Sequence, residues 1–188
     1  MNKTIKISFC GIITALCLVV MLTTGVIPVG TYALPAIAGV LITIIVIEVG
    51  IKWAAAVFAC VSILSLFLAG DKEAVVYFIL FFGYYPIIKN IIERYQIKKY
   101  KNNKLVKFFS LVLKVLVFNI ASISAFFISV KIILIDQSEF YIFGVPVVWP
   151  FLIVGNITFI IYDYAFSGLI VTYFIKIQPI LKRLIKFT

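Results

Sequence analysis

Trp149 to Phe174 reads WPFLIVGNITFIIYDYAFSGLIVTYF. It is a long apolar run that carries Asn156 and Asp163 among residues otherwise suited to lipid. A carboxylate deep in hydrocarbon costs a few kcal/mol on insertion scales unless it is paired or faces a polar cavity. Asn156 and Asp163 are seven residues apart, so a helix puts them on one face about two turns apart. Gly155, Ser167 and Gly168 are small enough to let neighbouring helices come close. The stretch therefore reads as a transmembrane helix facing the interior of a bundle.

The rest of the chain agrees. Of 188 residues, 64% are hydrophobic and 13% charged, whereas ordinary soluble domains are nearer half apolar and a quarter charged. The mean hydropathy is +1.22. Six apolar runs predict an all-α bundle in a single transmembrane domain over 1–188, with spans near 7–27, 34–49, 53–69, 74–92, 108–135 and 149–175. The second run is the shortest. Pro86, in Gly83-Tyr84-Tyr85-Pro86, removes a backbone donor and predicts a kink in the fourth. The basic start and first run are not read as a signal peptide, because the run is long, lacks a small-residue cleavage site and is followed by more spans.

The net charge of +10 does not imply nucleic-acid binding. Fourteen of the 17 Lys and Arg fall in the amino tail, at Lys52, between Lys89 and Lys107, or in the carboxyl tail. By the positive-inside rule this predicts a cell-membrane protein with both termini cytoplasmic. The outer turns would then centre on Pro28–Ala33, Gly70–Glu73 and Asp136–Val147.

Catalytic signals are absent. The chain has no histidine, which removes His-based metal sites and Ser-His-Asp or Cys-His catalysis. Cys10, Cys17 and Cys60 lie in apolar runs with no metal or disulfide spacing and read as packing residues. No phosphate-binding glycine motif or GxSxG occurs. Tyr162-Asp163 is half of an intramembrane aspartyl protease motif, but the GxGD half is missing. The expectation is a non-enzyme with no cofactor and no metal.

The polar residues inside spans are the candidates for function. Asp163 would lie roughly 18 Å inside the cytoplasmic end of the last helix, with Lys114 as its best-placed partner and Lys89 behind it. The pair either locks helices together or serves a pocket. Glu48 with Lys52, and Lys89 with Glu93, have the i,i+4 spacing of helix ion pairs. Asn119 could bond across helices or meet a ligand. Asp71, Lys72 and Glu73 read as a solvated turn or the rim of an outer pocket. Tyr84 and Tyr85 read as part of a kink or as a cavity lining.

The opening Lys3-Thr4-Ile5-Lys6 followed by Gly11-Ile12-Ile13-Thr14-Ala15-Leu16, with six spans in under 200 residues, resembles the substrate-binding S component of energy-coupling factor (ECF) transporters. The segment from Asp71 to Lys89 is also similar to uncharacterised small bacterial membrane proteins, which implies no activity. The ECF resemblance implies that Gly11 and Ala15, a small-xxx-small pair, pack on a coupling transmembrane subunit; Gly11 departs from the commoner alanine. It also implies separate ATPase subunits, capture of a scarce vitamin-like micronutrient from outside, and delivery by toppling in the membrane. Its pockets lie on the outer side, which points to Tyr32, Asn119, Trp149 and Asn156 as substrate-binding residues. Two other readings stand beside it. A structural or regulatory membrane subunit predicts a dry, tightly packed core, and a lipid carrier or flippase predicts a groove open to lipid.

Overall fold

The computed structural model describes residues 2–27, 30–100, 104–132, 141–142, 145–146 and 148–180. Each of the six apolar runs is helical. α1 is Lys3–Thr23, α2 Ala33–Glu48 and α3 Ile51–Leu68. α4, Lys72–Tyr77, passes through a π-helical turn at Phe78–Phe82 into α5, Tyr85–Tyr100. α6 is Lys104–Ile132, and α7 is Val148–Thr172 with a second π turn at Tyr173–Ile177. Two-residue strands β1 (Tyr141–Ile142) and β2 (Val145–Pro146) pair antiparallel ahead of α7.

Among the described residues five helical stretches are long and apolar enough to cross a membrane, and α2 is a shorter apolar helix. The helices around Lys3, Lys98 and Lys104 run past the expected apolar boundaries. Lysine is a good helix former, and its long stem lets the ammonium reach water from a helix end.

Two cores hold the bundle. In the first, Cys10, Ile13, Cys17 and Met21 of α1 repeat at helical spacing and pack on α2 and α3. α2 is the central element, burying Ala38, Gly39, Ile42, Thr43, Ile45 and Val46. Cys10 and Cys17 are buried as expected, whereas Cys60 is exposed. The second core is aromatic. Phe81, Tyr85 and Phe159 pack with Ala121 and Phe118, and the Phe118 and Phe159 rings stack with centroids 4.8 Å apart.

The cores meet at the α4–α5 break. Gly83 N–H donates to Phe78 C=O at 2.8 Å, the i→i−5 bond of a π turn. Pro86 sits in the first turn of α5, where its missing N–H is tolerated, so the expected irregularity lies upstream of the proline. Pro86 also cannot bond the Phe82 carbonyl four residues back. That carbonyl lies against Gly39 of α2, where a Cβ would collide with it.

Gly50, at φ +115°, turns the chain between α2 and α3. It separates Glu48 from Lys52, so the i,i+4 pair expected from a continuous helix does not form. Glu48 instead accepts hydrogen bonds from Tyr173 Oη and Gln178 Nε2, both at 3.0 Å.

At the opposite end, Asp71 caps α4 by accepting from Ala74 N–H at 3.0 Å and accepts from Thr31 Oγ1 at 2.8 Å. Lys72 Nζ donates to the Leu66 and Ala69 carbonyls, both at 2.9 Å, placing a cation at the end of α3. The turn is thus bonded to its neighbours rather than merely solvated.

Gly39→Ala should lower stability in detergent by about 1–3 kcal/mol, the usual cost of overpacking. Gly11→Ala should be neutral, because a Cβ at Gly11 meets nothing within 4 Å. Chemical unfolding of both variants checks the contrast.

Candidate functional site

α5 presents Tyr85, Lys89 and Glu93 at four-residue steps, and therefore on one face. That face meets Lys114 of α6 and Asp163 of α7. Lys89 Nζ forms an ion pair with Asp163 Oδ1 and donates to the Asp163 carbonyl at 3.1 Å and to Ser167 Oγ at 2.8 Å. Tyr85 Oη donates to the same Asp163 Oδ1 at 2.5 Å. Lys114 Nζ lies 3.2 Å from Asp163 Oδ2 and 2.8 Å from Glu93 Oε1. Glu93 also pairs with Lys89 at 3.2 Å.

With all four groups ionised, two ammoniums and two carboxylates cancel. Lys89 is 1% exposed, Lys114 6% and Asp163 8%. Charges so placed persist only when each is paired and hydrogen-bonded. Lys89 also lies 5.6 Å from the centre of the Phe166 ring, an added cation–π contact.

The structure brings together Asp163 and Lys114, as expected, but Lys89 is the closer cation. α5 continues eleven residues beyond Lys89 to Tyr100, about 16 Å of helix, which carries Lys89 well inside the bundle rather than to its inner edge. Tyr85 is the partner that sequence reasoning missed. The signal was present in the 85/89/93 spacing.

Two turns up the same face of α7, Asn156 meets Asn119 of α6. Each side-chain amide donates to the other at 2.9 Å. The amides also donate to the carbonyls four residues back, Asn119 to Val115 at 2.9 Å and Asn156 to Leu152 at 2.7 Å. Both donors of each amide are thereby used. Gly155, one residue away, lets the Phe118 ring approach to 3.3 Å of its Cβ position, whereas Gly168 faces open space and plays no packing role.

A cavity of about 430 Å³ opens among α2, the α4 π turn, α6 and α7. Phe81, Phe82, Phe118 and Phe159 line it, with Tyr32 and Tyr77 at one side and Ser122 and Tyr162 among its polar residues. Tyr32 Oη donates to Glu73 Oε1 at 2.9 Å, and its ring meets Tyr77 edge-on at 4.8 Å. Burial, together with Tyr77 and the Glu73 carboxylate, pushes the Tyr32 phenol upward, so it stays a donor. The Tyr162 hydroxyl is buried without a hydrogen-bond partner.

Of the four residues expected to bind substrate, Tyr32 lines this cavity. Asn119 and Asn156 are bonded to each other, while their neighbours Phe118 and Gly155 line it. Trp149 stands in the first turn of α7, and its side chain lies outside the described residues. Gly11 and Ala15 are exposed, on the face of α1 opposite Cys10, Ile13 and Cys17.

No family model, curated protein or solved structure matches this chain.

Asp163→Asn leaves two buried lysines facing only Glu93 and should cost about 3–5 kcal/mol. Lys114→Met, which leaves Asp163 its Lys89 and Tyr85 partners, should cost less; unfolding in detergent gives the order. A double-mutant cycle with Asn119→Leu and Asn156→Leu should return a coupling of about 0.6–1.7 kcal/mol, the range for hydrogen bonds between membrane helices.

Proposed function

We propose that this chain is a membrane-embedded subunit that captures a small molecule in the aromatic cavity. It would hand the molecule to partner subunits that supply the energy, as the S components of ECF transporters do. The observation that carries the reading is the cavity with the unpartnered Tyr162 hydroxyl. About 430 Å³ lies within the range of small-molecule sites, which are mostly apolar with a few placed polar groups. A buried hydroxyl left unbonded costs roughly 1–3 kcal/mol, and a ligand acceptor would recover that. The chemistry favours a flat, largely apolar ring compound with one hydrogen-bond acceptor.

In this reading the chain crosses the plasma membrane six times. α2 is the shortest span, and both termini lie in the cytoplasm by the distribution of Lys and Arg. The Tyr32–Glu73 side of the cavity then faces outward. The exposed Gly11/Ala15 face of α1 is available to a coupling subunit. Nothing in the chain resembles ATP-hydrolysing machinery, so the ATPases are separate partners.

A second reading, a structural or regulatory subunit, draws on the way the Asp163 cluster and the Asn119–Asn156 pair satisfy their own polar groups.

Native mass spectrometry of the protein extracted gently from its own membranes separates the two. Under the first reading, wild type carries a small molecule and partner subunits. Ser122→Phe, filling the cavity, loses the molecule and keeps the partners, and Gly11→Leu does the reverse. Partners without any small molecule would favour the structural role. A lone protein carrying only phospholipid would overturn the capture reading.

A further inference from the structure

A second cavity, about 640 Å³, lies in the groove where α5 ends and α6 begins. Its walls are apolar: Ile91 and Tyr95 from α5, and Leu105, Phe109 and Leu113 from α6. Two lining residues, Gln96 and Ser110, carry polar side chains. Ser110 is 8% exposed, and its hydroxyl is buried with no hydrogen-bond partner. A serine in a helix can usually bond the carbonyl four residues back, but here that bond is not made.

Basic residues flank the groove. Arg94 of α5 and Lys107 of α6 are both exposed, each next in sequence to a lining residue, Tyr95 and Val106. Ser110 lies three residues beyond Lys107, about 4.5 Å deeper along the helix.

We propose that the α5–α6 groove binds one anionic glycerophospholipid. The headgroup phosphate sits at Arg94 and Lys107, since anionic lipids attract lysine and arginine. One acyl ester lies deeper, its carbonyl accepting the hydrogen bond that Ser110 Oγ now lacks. The attached acyl chain runs along Phe109 and Leu113. Apolar walls alone would suit any lipid; the flanking Arg94 and Lys107 and the unbonded hydroxyl at ester depth select this class. The site is separate from the aromatic cavity and does not depend on what that cavity binds.

The test is native mass spectrometry of delipidated protein in detergent, titrated with phosphatidylglycerol or phosphatidylcholine of identical acyl chains. Wild type should retain one phosphatidylglycerol at least tenfold better than phosphatidylcholine. Ser110→Phe, which fills the groove, should abolish that retained lipid, and Ser110→Ala should weaken it several-fold. Arg94→Gln and Lys107→Gln together leave the apolar walls intact and should reduce the preference to near unity, so the proposal stays testable even if Ser110→Phe does not fold. Equal retention of both lipids by wild type, or a preference unchanged in the double variant, would overturn it.

Discussion

The second half of this structure depends on how a single carboxylate, Asp163, is kept charged inside an apolar bundle. Three helices contribute to that task. α5 brings Tyr85 and Lys89, α6 brings Lys114, and α7 brings the carboxylate with Ser167 beside it. Hydrocarbon provides no general hydrophobic force between helices, so packing and interhelical polar bonds carry much of the specificity. The cluster and the Asn119–Asn156 pair are two fixed points along the α6–α7 contact. Between them lies the stacked Phe118–Phe159 pair. Sliding α7 by one turn would break all three contacts, which sets its register.

The first half is held differently. Small and branched side chains of α1, α2 and α3 interlock with few polar contacts. Gly39 lets α2 touch the Phe82 carbonyl at the π turn, and that contact joins the halves. The aromatic cavity lies beside this junction, with Phe81 and Phe82 of the π turn in its lining.

Much of the architecture was legible in the sequence because composition alone dictates it. Among the described residues each of the six apolar runs is helical, and Asp163 stood out as the charge that needed partners. The limits were physical as well. Helix ends were misjudged where lysines extend a helix beyond its apolar part, and this made Lys89 look peripheral. The Glu48–Lys52 spacing suggested a pair because Gly50 between them was not given its weight as a backbone breaker. The reciprocal Asn119–Asn156 bond spans 37 positions, and no periodicity within one helix encodes which residue of another it will meet. The Trp149 side chain and most of Asp136–Val147 lie outside the described residues.

The order of the cluster along the chain bears on how the protein is made. Lys89 is made with Glu93 four residues behind it, so α5 carries its own counter-charge. Lys114 follows and finds Glu93 already in place. Asp163 is synthesised 49 residues after Lys114 and completes the set. Until then the two cations share one carboxylate. A chain cut before Asp163 would leave one of these charges without its partner inside the bundle.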